Sequence, residues 1–219
     1  PVRFSGSYEI FMRRLWLIDA SYIHANNLAL LGAHRRIDYL RLRALIEREL
    51  GPLWRGYFLN SAQDEPNEGR DRFHNWLQTA LPHGPNLIVK LYGLKSERVR
   101  NAWCADCGAK VDVQCPHGNG QHRLFNQRQM GVDVGLATLA LVHREHYDSL
   151  VLSSGDVDLL DAVEHLTEAG KGLELAVFST GVATDLQARA DRVLWLDEHV
   201  SALTGENESN GQASTTPAH

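Results

Sequence analysis

Leu150-Val151-Leu152-Ser153-Ser154-Gly155-Asp156-Val157-Asp158 is the stretch that decides how this chain folds. A short apolar run, of the length expected for a buried strand, passes through a small-residue turn into two carboxylates. The pattern occurs once before, where Leu15-Trp16-Leu17-Ile18 is closed by Asp19. In an open parallel α/β sheet the carboxyl ends of the strands border the ligand crevice, so acids from separate strands arrive at one place. Like charges gathered that closely need a cation, and an all-oxygen donor set suits Mg²⁺ or Mn²⁺.

Outward from these two runs, strand and helix alternate. Residues 37–50 space Leu40, Leu42, Leu45, Ile46 and Leu50 for a helix stopped by Gly51-Pro52, and 54–59 reads as a second strand. Asn67 is placed to cap a helix carrying Phe73, Trp76, Leu77 and Leu81, which Pro82 and Gly84 end before a strand at 86–92. Residues 93–123 then break the alternation with a Gly-rich detour. It resumes with a helix over 128–145 presenting Val132, Leu136, Leu139 and Ala140, a strand at 149–153, a helix at 159–169, a strand at 173–178, a helix at 184–190 and a strand at 192–196. Repeated strand-helix units imply an α/β fold with a mostly parallel sheet covered on both faces. The expected organisation is one domain over 1–203 with an insert at 93–127, followed by a tail at 204–219 too polar and aperiodic to fold.

With 219 residues and 43% hydrophobic content, the chain can bury one substantial core. No apolar run is long enough to cross a bilayer, and residues 1–7 lack the apolar stretch of a signal peptide, so a cytoplasmic protein without membrane contact is expected. A homodimer is compatible with this picture, but no sequence signal marks one. The net charge of -5 argues against a general polyanion binder, although acids concentrated at an active site and in the tail contribute to it, and the local balance matters more.

The detour carries its own chemistry. Its three cysteines, all of those in the chain, fall within 104–115, a clustering that favours metal ligation over a disulfide framework. Cys104-Ala-Asp-Cys107 has the two-residue spacing of a zinc knuckle, and Cys115-Pro116-His117 offers a second pair, with His122 as the alternative fourth ligand. A Cys₃His set has no open position for water, so Zn²⁺ there would be structural, letting a small insert fold without a large core. From 90 to 128, seven basic residues face three acidic ones, a net +4 in an acidic chain. Lys95, Arg98, Arg100, Trp103, Arg123 and Arg128, with Tyr92 and Phe125 interleaved, suit the gripping of phosphates and stacking of unpaired bases beside the carboxylate crevice. The competing account is a solvated surface whose aromatics fill the insert's own core. Arg35, Arg36, Arg41 and Arg43 read as ordinary surface charge, and His24, His74, His143, His146 and His165 as structural or solvated.

Asp19 after the first strand, Gly131-Val132-Asp133 at a helix start and Ser154-Gly155-Asp156-Val157-Asp158 after the next strand together resemble the NYN domain family, the LabA-like branch of PIN-like nucleases. The resemblance runs over roughly 15–196, the insert excepted, and includes Gly170-Lys171 and Ala190-Asp191. It implies a three-layer α/β sandwich and metal-dependent cleavage of RNA by water attack, leaving a 5′-phosphate. Asp19, Asp133, Asp156 and Asp158 would be the catalytic metal ligands, the last holding a second metal or a water. The chain departs from the family pattern as well. Asp19-Ala20-Ser21-Tyr22 stands where Asp-Gly-x-Asn is usual, leaving Ser21, Asn26 or Asn27 to substitute for the Asn. Met130 replaces a Lys, Leu139 a second helix acid, and Leu159-Leu160-Asp161 a Phe-x-Pro. These changes keep a non-cleaving RNA-binding module open, while a DNA nuclease or phosphohydrolase would use the same acids. Asp156 and Asp158 also suit capping of the following helix, Asp161 a surface place in its first turn, and Asp191 a structural role at a strand start.

Overall fold

The computed structural model describes residues 12–204 apart from 33, 63–65, 119–121 and the side chain of residue 128. Strand β1, Arg14–Asp19, is buried along its whole length because it lies at the centre of a seven-stranded sheet and is covered on both faces, which is why it reads as an unbroken apolar run. The alternation of side chains along it builds two cores. Trp16 and Ile18 face one side, packing with Ile23 of α1 (Ala20–Leu31), Leu42 and Ile46 of α2 (Tyr39–Glu49) and Leu203 of α7 (Val200–Thr204). Leu15 and Leu17 face the other, packing with Val132 and Leu136 of α4 (Val132–Val142), Val163 and Leu166 of α5 (Leu160–Glu168) and Leu186 of α6 (Thr184–Arg189). The result is the expected three-layer sandwich.

The remaining strands are β2 (Leu53–Ala62), β3 (Ile88–Val99), β6 (Leu124–Gln129), β7 (Ser149–Ser153), β8 (Gly172–Val177) and β9 (Arg192–Trp195), with β4 (Asn101–Cys104) and β5 (Ala109–Asp112) forming a separate hairpin. Sheet order is β6-β3-β2-β1-β7-β8-β9, and every pairing is parallel except β3 with β6. The winding reverses between β1 and β7, where an open sheet opens its ligand crevice. Ile18 pairs with Ser153, so the two strands end level. Asp19 and the Ser154-Gly155-Asp156 turn therefore flank the crevice.

Three departures from the sequence reading matter. Helix α1 was not anticipated. Strand β3 runs past its predicted end at 92 to Val99, and residues 124–129, partly assigned to the following helix, form β6 instead. The boundary is Gly131, whose φ of 80° lies in the left-handed region that favours glycine and starts α4 one residue later. Helix α3 (Glu68–Gln78) is capped as expected, the Arg70 N–H donating to Asn67 Oδ1 at 2.9 Å. Residues 205–219 of the predicted tail lie outside the described residues. No helix among the described residues is long and apolar enough to cross a membrane.

Candidate functional site

Each carboxylate is delivered by the start of a helix. Asp19 is buried as the N-cap of α1, its Oδ1 accepting from Ser21 N–H at 2.9 Å, Tyr22 N–H at 3.3 Å and Ser21 Oγ at 2.7 Å. Asp156 caps the 3₁₀ turn at 157–159, its Oδ1 accepting from the Asp158 N–H at 3.0 Å. The capping role expected of Asp156 is thus real, and so is its compatibility with ligation. On both acids Oδ2 accepts no hydrogen bond among the described residues, leaving one oxygen apiece for another partner. Asp133 sits half-buried in the first turn of α4, and Asp158 is exposed in the 3₁₀ turn.

Asp133 senses the other three acids. Burial, then the charges of Asp156, Asp19 and Asp158, hold the Asp133 carboxyl above the ordinary aspartate range. Helix starts concentrate partial positive charge there, which favours anions but does not neutralise four carboxylates. Even so, no three His, Cys, Asp or Glu side chains among the described residues stand close enough to share one ion directly. The donor set therefore fits a hard cation that keeps several waters, bound by one or two carboxylates and reached by the others through its hydration shell.

Two glycines fix this geometry. A Cβ on Gly155 would lie 1.8 Å from the Gly181 carbonyl oxygen, so the glycine in Ser-Gly-Asp lets the loop after β8 close over the turn, and the Ala183 N–H donates to Gly155 O at 3.0 Å. A Cβ on Gly135 would meet the Tyr92 hydroxyl at 2.0 Å, which locks α4 against β3. Tyr92, expected to stack bases, is instead packed here.

Sequence reasoning missed two supports of the site. The Phe178 N–H donates to the Tyr22 hydroxyl at 3.0 Å, tying α1 to the end of β8; burial pushes this phenol up to about 12, so it stays a neutral strut. Ser154 Oγ accepts from the Asp156 N–H at 3.3 Å. Of the substitutes for the family's Asn, Ser21 touches Asp19. The Asn26 and Asn27 amides are committed elsewhere, Asn26 to Tyr22 O and Thr180 Oγ1, Asn27 to Arg35 O and the Ile37 N–H. Asp191 accepts from the Leu173 N–H at 2.9 Å, the structural role expected, and Asp161 is exposed. Arg43 corrects the surface reading: it is buried, donating to Pro85 O and Glu47. His74 is buried as a structural histidine.

The insert is an arm growing from the crevice edge. Asp19 pairs with Leu59, and Leu59 with Lys90, so β3 continues well past the strand ends before β6 returns antiparallel into Gly131 and α4. At about 3.3 Å per residue, the stretch from Gly93 to Val99 carries the arm roughly 20 Å beyond the end of β2. Arg98, Arg100 and Arg123 converge on one cavity of about 170 Å³. Lys95 pairs with Glu97 at 2.8 Å. Trp103 is 68% exposed and Phe125 57%, so these aromatics do not fill a core of the insert. The Arg128 side chain lies outside the described residues.

The cysteines occupy two halves of the arm. Cys104 ends β4 and Cys107 lies in the hairpin turn, where the Cys107 N–H first, then its thiol and the Asp106 N–H, hold the Cys104 thiol below its ordinary range. In the other half His122 Nδ1 lies 3.4 Å from Cys115 Sγ, and a Cβ on Gly118 would overlap the His122 ring at 2.2 Å. His117 and His122 are both exposed, and His122 is the one of the two in contact with Cys115. Cys104, Cys107, Cys115 and either histidine are not drawn into one tetrahedron.

Comparison with known proteins follows this geometry. A crystal structure of a protein of unknown function from Vibrio parahaemolyticus has a TM-score of 0.59 to this one at 15% identity, over 88% of this chain and 98% of that one, a likeness of fold. No curated protein matches the chain. The model of the NYN domain matches residues 15–197, a span holding all four crevice acids and the arm. The chain belongs to the NYN domain family, whose members are PIN-like nucleases.

Proposed function

We propose that this protein is a metal-dependent endoribonuclease whose Mg²⁺ or Mn²⁺ is held between Asp19, Asp133 and Asp156, with Asp158 on a second ion or a metal-bound water. The observation that carries this is Asp133. A half-buried carboxyl raised by burial and by three neighbouring acids is a site short of positive charge. A bound divalent cation would lower the pKa of its water and stabilise charge on the scissile phosphate. The chain's own residues do the positioning. Asp19 and Asp156 use Oδ1 to fix their rotamers on their own helix starts, leaving Oδ2 without a hydrogen bond among the described residues. Ser21 orients Asp19 in place of the usual family Asn. Arg98, Arg100 and Arg123 bind the phosphates of an RNA strand along the arm, and Trp103 and Phe125 offer faces to unpaired bases. By family likeness, water attacks phosphorus and the 3′-oxygen leaves, giving a 5′-phosphate end.

A structural Zn²⁺ on Cys104, Cys107, Cys115 and His122 would have to draw together two halves of the insert that stand apart, the contact of His122 with Cys115 favouring it over His117. The test of function is cleavage of end-labelled single-stranded and hairpin RNA in Mg²⁺, Mn²⁺ or EDTA, with DNA and nucleotides as competitors. Metal-dependent RNA cutting supports the reading. RNA binding without cutting under any divalent ion favours the non-cleaving module, to which Met130 and Leu139 point by leaving the family's Lys and second helix acid unfilled.

A further inference from the structure

A second cavity, about 460 Å³, lies on the α1 side of the sheet, next to Asp19 but across β1 from α4. Its volume falls in the range of small-molecule sites, and its lining has their character: apolar bodies with a few polar groups. Three observations give it a ligand class. First, Phe73 leads an aromatic cluster, its ring 5.9 Å from Tyr39 and 6.0 Å from Phe58, and at 37% exposure it offers a face at the cavity. Second, polar groups able to read a base edge line the same space. Ser61 Oγ is buried with no hydrogen-bond partner among the described residues, and Asn60 and Gln129 each carry an amide donor and acceptor. A buried unpaired hydroxyl is costly unless something fills its need. Third, Arg36 supplies a cation. Asn27 accepts from the Ile37 N–H and donates to Arg35 O, both at 2.9 Å, clamping the backbone on either side of Arg36 at the cavity wall.

Ser21 joins the cavity to the carboxylates, since it lines the space while its hydroxyl donates to Asp19. We infer that this cavity is a nucleotide pocket that takes one unpaired base of the RNA strand, stacked on Phe73 and hydrogen-bonded by Ser61, Asn60 and Gln129, with its phosphate near Arg36. The inference rests on the nuclease reading for the identity of the strand, but not for the pocket itself. In such a site the base selects which nucleotide lies beside the scissile bond.

The test is equilibrium binding of nucleoside 5′-monophosphates and of ribose 5-phosphate to the full chain, in EDTA and in Mg²⁺. Nucleoside monophosphates should bind at least about tenfold more tightly than ribose 5-phosphate, the worth of one base stacked on an aromatic ring. Ser61→Leu, which fills the cavity, and Phe73→Ala, which removes the platform, should each weaken nucleotide binding about tenfold. If Ser61→Leu fails to fold, Phe73→Ala decides, because a partly exposed side chain is truncated there. Equal binding of ribose 5-phosphate and nucleotides, or nucleotide affinity unmoved by Phe73→Ala, overturns the pocket even where RNA is cut. Nucleotide binding that depends on Phe73 without any cleavage keeps the pocket and overturns the nuclease.

Discussion

Asp133 is the residue on which the chemistry and the stability of this fold meet. Its raised carboxyl means that the folded state holds the proton more tightly than the unfolded chain does. The favourable contribution is therefore complete below the ordinary aspartate range and is lost as pH rises through the raised value. In EDTA, Asp133→Asn should raise Tm by about 2 °C at pH 7.5 and leave it unchanged near pH 3, measured by calorimetry. Mg²⁺ should then raise the Tm of the wild type more than that of the variant. Gly155 is the steric counterpart. Since a methyl group there would collide with the Gly181 carbonyl, Gly155→Ala should lower Tm by roughly 6–12 °C, and an unchanged Tm would show that the loop after β8 yields freely. The acids themselves were legible from sequence, because an apolar run ending in Asp has few other meanings in an α/β chain. What each of their oxygens does was not. Capping and ligation compete in sequence, and the structure shows the capping, done by Oδ1 of Asp19 and of Asp156.

In the proposed nuclease, the arm formed by β3 and β6 is what would let a chain of net negative charge hold a polyanion. Arg98, Arg100 and Arg123 line one cavity on it, so replacing all three with Gln should weaken RNA binding uniformly across sequences. It should also flatten the salt dependence by about 2 in log-log slope, the loss of three phosphate contacts on a single strand. The zinc assignment belongs to the same arm. Elemental analysis should find about one zinc per chain, with His122→Ala losing it and His117→Ala retaining it. A metal-free native protein with a folded insert contradicts the assignment. The arm was poorly legible for a physical reason. Leu94 to Val99 pairs with Leu124 to Gln129 across a loop of more than twenty residues, and both strands stand out from the core, so neither carries an apolar alternation. Helix α1 escaped notice for the opposite reason: it buries Asn26 and Asn27 and exposes Leu28 and Leu30, so its polarity pattern is inverted.

The seven-stranded sheet sets the site by winding in opposite directions from β1 and β7 and leaving Asp19 and Asp156 on either side of the reversal. The arm springs from the same edge of the sheet, and the second cavity lies behind Asp19. That the sheet is mostly parallel and covered on both faces was legible, since repeated strand-helix units imply it, whereas the strand order was not. Nor was the antiparallel return of β6. The most direct test of the whole account is the single-turnover rate of RNA cleavage by wild type and Asp156→Asn in saturating Mn²⁺, with circular dichroism confirming that both are folded. A rate at least about a hundredfold lower in the variant is expected if Asp156 holds the catalytic ion. Cleavage at the wild-type rate by the folded variant would contradict the account and place the chemistry elsewhere.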